Sequence, residues 1–91
     1  MFSMGRVAVT YNLLPEETSF DMEGLKANIG TIVPAGIQVA RAEIKPFAFG
    51  LKILEIVCVM EDKEGFVEDL EEKLRAIEGI QSAENVGMTL I

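Results

Sequence analysis

Few side chains in this chain can do covalent chemistry, and those that can stand apart from one another. Cys58 is the single thiol, set between Val57 and Val59, and the chain contains no histidine to deprotonate it. A thiol in such surroundings reads as a small buried hydrophobe rather than a nucleophile. The carboxylates form two clusters, Glu61, Asp62 and Glu64 in one, and Glu68, Asp69, Glu71 and Glu72 in the other. A hard-cation site needs oxygens converging on a defined turn. Neither cluster has that pattern, so both read as solvated faces. The lack of histidine also removes the commonest general base and the commonest metal ligand. No catalytic residue, cofactor or metal is therefore expected. What remains is recognition chemistry. Phe47 and Phe49 flank Ala48 between Pro46 and Gly50, in a connection where polar residues are usual. Two aromatics there are either lids on the core or an exposed anchor for a partner's pocket.

The elements that must position these residues follow from periodicity. In Arg6 to Leu14, Val7, Val9, Tyr11 and Leu13 alternate onto one face, the period of a half-buried strand. Pro15, with no N–H to donate, ends it. Asp21 can cap a helix, whose stripe is Met22, Leu25, Ile29 and Ile32. Val33 to Gly36 stops it. A second strand runs roughly from Ile37 to Ile44, with Ile37, Val39 and Arg41 on one face and Gln38, Ala40, Ala42 and Ile44 on the other. Lys45 to Gly50 breaks it. The third, Leu51 to Met60, is nearly continuously apolar and so reads as central. After the polar turn Glu61 to Gly65, Phe66, Leu70, Leu74 and Ile77 make the stripe of a second helix. Its wet side carries Glu68, Asp69, Glu71, Glu72, Lys73 and Arg75. Gly79 is placed to end it at a left-handed cap. Ile80 to Ile91 reads as a last strand, looser around Glu84 and Asn85.

Ninety-one residues make one domain, spanning 1–91, with 1–3 set aside as an unstructured or alternative start. A hydrophobic fraction of 49% argues for a folded core. The net charge of −7 repels phosphate backbones, so direct nucleic-acid binding is not expected, while a basic protein surface would be compatible. No run approaches the ~20 apolar residues of a membrane span, and Met1 to Met4 lacks signal-peptide character. A cytoplasmic protein is expected.

Strand, helix, strand, strand, helix, strand is the order of a ferredoxin-like split βαβ sandwich, an α+β fold. Its antiparallel sheet has the order 4-1-3-2, with two helices on one face. Fold alone gives no function, but it narrows the choice. A metal carrier of this fold would need two cysteines near the first strand, and there are none. An acylphosphatase would need a phosphate-cradling loop with an arginine after that strand, where Leu14-Pro15-Glu16-Glu17 offers carboxylates. RNA-recognition domains stack bases on aromatics of the central strands, and Leu51 to Met60 has none.

The segment Lys45-Pro46-Phe47-Ala48-Phe49-Gly50-Leu51-Lys52-Ile53-Leu54-Glu55-Ile56 resembles the x-P-x-x-F-G-[IL]-x-x-L-x-[IV] signature of the elongation factor 1-beta family. Similar pieces are Met4-Gly5 before a strand ending in Leu14-Pro15-Glu16, the strand Cys58 to Asp62, and Ile77-Glu78-Gly79-Ile80. The short chain is similar to the archaeal branch. The resemblance implies a guanine-nucleotide exchange factor. It would promote GDP-to-GTP exchange on elongation factor 1-alpha, the GTPase that delivers aminoacyl-tRNA, by stabilising its nucleotide-free form. Phe49 matches the aromatic that inserts into the GTPase, and Pro46 and Gly50 match the residues that shape its hairpin. Phe47 and Lys52 flank that anchor.

The resemblance also implies a second contact through Met88, Thr89, Leu90 and Ile91. Eukaryotic members place a lysine next to the last residue, where it intrudes on the magnesium site. Leu90 stands there in this chain; it can exclude a metal sterically but cannot compete for phosphate oxygens. In a 4-1-3-2 sheet the hairpin and this tail lie at opposite strand ends, roughly 25–30 Å apart. The rival reading from another class is a small-molecule-binding regulatory domain of the same topology, acting as a dimer.

Overall fold

The computed structural model describes residues 5–62 and 65–91. Met1 to Ser3, set aside above, lie outside the described residues, as does Glu64 of the first acidic cluster. The elements in chain order are β1 (Arg6–Pro15), α1 (Met22–Ile32), β2 (Gln38–Pro46), β3 (Lys52–Glu61), α2 (Phe66–Arg75) and β4 (Ile80–Leu90). A short 3-10 turn, Ala48–Gly50, joins β2 to β3. The four strands form one antiparallel sheet in the order β2-β3-β1-β4, which is 4-1-3-2 counted from the other edge.

The alternation expected of β1 is present along its whole length. Val7, Val9, Tyr11, Leu13 and Pro15 are buried, and the residues between them are half-buried. Opposite them on β3, Leu54, Ile56, Cys58 and Met60 face the same layer. Met22, Leu25 and Ile29 of α1 and Leu70 and Leu74 of α2 close that layer. Each large aliphatic side chain buried this way contributes about 1.5–3 kcal/mol. Asp21 caps α1 as its type suggests, its carboxylate accepting the Gly24 N–H at 3.0 Å. The other face of the sheet carries no helix. There Ala8, Thr10, Asn12 and Leu14 meet Glu55, Val57 and Val59 in a half-buried surface.

Four expectations are corrected. In β2, Val39 pairs with Cys58 but Arg41 with Val57 and Ala42 with Ile56, so Ala40 is an extra, bulged residue. The bulge turns Val39, Ala42 and Ile44 all toward the core, and sends Arg41 to the open face, where it pairs with Glu43. β4 is continuous rather than loose at Glu84 and Asn85; its irregularities are two register shifts, one leaving Val86 unpaired between Asn85 and Gly87, the other Gln81 between Ile80 and Ser82. α2 does not end at Gly79. It stops at Arg75 with a right-handed cap at Ala76, and Gly79 (φ 89°) instead closes the turn from Ile77 to Ile80. Glu71 is not on the wet side, because its carboxylate accepts the Tyr11 hydroxyl at 3.0 Å across the sheet–helix layer and also holds Arg75.

Burial and that carboxylate together raise the Tyr11 hydroxyl's pKa well above its ordinary 10.0. Cys58 is wholly enclosed, and burial pushes its thiol up to about 11. Both groups lie within the layer between sheet and helices.

Candidate partner-binding site

The β2–β3 hairpin is a tight structure with an unusual occupant. The Phe47 N–H donates to the Leu51 carbonyl at 2.8 Å, and the Leu51 N–H to the Ala48 carbonyl at 3.1 Å. Between them, Phe49 (φ 60°, ψ 31°) and Gly50 (φ 77°) both have positive φ, the requirement of a type I′ turn. Gly50 meets that requirement without cost. Phe49 does not, and it is the only non-glycine residue with positive φ among the described residues. Its ring gains no burial in return, being 94% exposed. Phe49 is therefore no lid on the core. Phe47 is half-exposed and lies lower, on the open face of the sheet.

Two grooves run away from the hairpin, one on each face. On the helix side, Pro15, Glu17, Thr18, Phe20, Ile44 and Lys52 line a depression of about 220 Å³. Lys52 falls there because it shares the parity of Leu54 and Ile56; it is exposed and makes no ion pair among the described residues. The wall formed by Glu17 to Phe20 is held down at Gly79. A Cβ there would come within 2.6 Å of the Phe20 ring, and the Glu16 N–H donates to the Gly79 carbonyl at 2.9 Å. On the open face, Asn12, Leu14, Phe47, Ile53, Ser82 and Glu84 line a smaller depression of about 90 Å³.

The tail candidates lie elsewhere. Leu90 pairs with Val7, Thr89 with Ala8 and Met88 with Val9, so Met88 and Leu90 project on the helix side of the sheet. No helix residue covers them: Met88 is 53% and Leu90 71% exposed. Ile91 follows the strand, also exposed, with its N–H donating to the Arg6 carbonyl at 2.9 Å. The tail is thus the end of an edge strand. Pro46, Phe47, Phe49, Gly50 and Lys52 cluster at one end of the sheet, and Met88 to Ile91 at the other. β3 from Lys52 to Met60 spans about 27 Å at roughly 3.3–3.4 Å per residue, and the molecule is 50 Å long.

The flanking loop Glu17-Thr18 and the open-face residues Asn12 and Glu84 were not singled out by sequence. The one signal was Asn12, a residue depleted in strands, at the middle of an otherwise strand-forming run.

The chain is thus a domain of ferredoxin-like α+β fold with a strained, exposed aromatic at one end of its sheet and an exposed apolar strand edge at the other. Comparison with known proteins agrees. The model of the family described as the EF-1 guanine nucleotide exchange domain matches residues 8–91. Proteins named elongation factor 1-beta are similar over nearly the whole chain. That of Aeropyrum pernix is 42% identical over 82 residues, covering 89% of this chain and 91% of the relative. That of Methanosphaerula palustris is 41% identical over 87 residues, covering 96% and 99%. That of Methanococcoides burtonii is 38% identical over 81 residues, covering 89% and 91%. The chain belongs to the EF-1 guanine nucleotide exchange domain family.

Proposed function

We propose that this protein promotes GDP-to-GTP exchange on elongation factor 1-alpha, with Phe49 as the anchor and Met88 to Ile91 as a second contact. The observation that carries the reading is Phe49 itself: a bulky ring held in a left-handed backbone, almost fully in water, within the family's signature hairpin. Such strain persists only where the surrounding structure enforces it, and it concentrates at functional positions.

The action needs no acid, base or metal from this chain. An exchange factor weakens nucleotide binding by preferring the empty GTPase, and by linkage the two effects are equal. The factor by which the docked protein lowers GDP affinity is the factor by which GDP lowers affinity for the protein. Every residue implicated is accordingly a binding residue. Pro46 and Gly50 shape the turn; Phe47 and Lys52 flank it. Leu90, which cannot compete for phosphate oxygens, acts by occupying space.

The test is release of fluorescent GDP from cognate elongation factor 1-alpha. Wild type accelerates it, and Phe49→Ala, folded by circular dichroism, loses at least tenfold of that acceleration. Unaltered release with a verified partner rejects the exchange reading; full activity of Phe49→Ala rejects the anchor alone.

A further inference from the structure

An unanswered acceptor lies beside the open-face groove. The Asn12 Oδ1 is shut off from water and has no hydrogen-bond partner among the described residues. A buried carbonyl left unpaired is costly, and native folds rarely keep one without a use. Asn12 sits at the centre of the sheet, directly opposite Glu84 on β4 and Glu55 on β3. Glu55 is answered by Lys45 at 2.9 Å. Glu84 is exposed and has no cation among the described residues. Side-chain acceptors thus cross the open face in a row, and the two nearest the groove are unpaired.

The rest of the lining is the Ser82 hydroxyl and an apolar wall, Leu14 and Ile53 beside Phe47, whose half-exposed ring stands next to the anchor hairpin. We propose that this groove receives an arginine side chain of the GTPase partner, a reading that rests on the exchange function proposed above. A guanidinium supplies several donors in a planar fork and stacks on an aromatic face, which suits two neighbouring acceptors beside a phenyl ring. A compact ammonium would satisfy the carboxylate but would leave the apolar wall unused. Rotation about the Asn12 terminal torsion, which is broad, turns Oδ1 into the groove. The net charge of −7 favours the approach of a cation. The groove and the Phe49 anchor adjoin, so one partner surface reaches both.

Affinity for nucleotide-free elongation factor 1-alpha, measured by calorimetry at several salt concentrations, tests the assignment with Asn12→Val, Glu84→Gln and Phe49→Ala side by side. Asn12→Val is expected to raise the melting temperature of the free protein while weakening binding on the order of tenfold. Glu84→Gln, an exposed change that leaves the fold intact, is expected to weaken binding several-fold and to flatten its salt dependence. Wild-type affinity in both groove variants, alongside loss in Phe49→Ala, overturns the arginine site and leaves the exchange reading standing. Failure of the wild type to bind overturns both.

Discussion

Phe49 occupies the turn position where asparagine or glycine would be at ease. A bulky residue there costs the free protein about 1–3 kcal/mol, and with its ring in water nothing in the monomer offsets this. Phe49→Asn should therefore stabilise the protein. We expect about 1 kcal/mol, or a rise in melting temperature of roughly 5 °C for a domain of this size, together with loss of nucleotide exchange. Thermal denaturation and GDP release on the same preparation decide it, and a variant that melts lower than wild type would contradict the strain argument. Sequence alone left the two phenylalanines open between lid and anchor. Their spacing is the same under either reading, and what rules out a lid at Phe49 is the exposure of its ring on a turn of positive φ.

At the scale of elements, β1 and the two helical stripes were legible because each faces one layer throughout its length. β2 and β4 were not, because a bulge shifts the period by one residue and sends later side chains to the opposite face. Whether Ala40 or Val86 is the extra residue depends on β3 and β1 across the ladder, not on the strand's own composition. Glu71 is a similar case: nothing near it in sequence foretells Tyr11, sixty positions away. The layer between sheet and helices also carries a pH signature. Cys58 is raised from an ordinary 9.0 to about 11, and Tyr11 is raised as well. Between pH 9 and 11 the unfolded chain gives up a proton that the folded chain keeps, which favours unfolding. Stability should thus be level up to about pH 9 and fall from there through pH 11. Urea titrations across that window test this, and Cys58→Ala, although less stable throughout, should show a shallower fall. Equal slopes would remove the thiol from the account.

For the whole molecule, the sheet separates its two apolar ends, and this decides how they can cooperate. A single GTPase pocket cannot receive both Phe49 and Leu90, so the proposed function requires a grip on two places of the partner. Perturbations so far apart and without shared contacts should combine independently. Deleting Thr89 to Ile91 is a poor probe, since it would strip the ladder from Arg6 to Ala8 as well as the contact. Leu90→Ser keeps the backbone pairing and changes only an exposed side chain. Its fold-loss in affinity for empty elongation factor 1-alpha, multiplied by that of Phe49→Ala, should equal the loss in the double variant. A double variant no weaker than Phe49→Ala would mean that the tail takes hold only after the anchor is seated, and a Leu90→Ser of wild-type affinity would reduce the grip to the hairpin end.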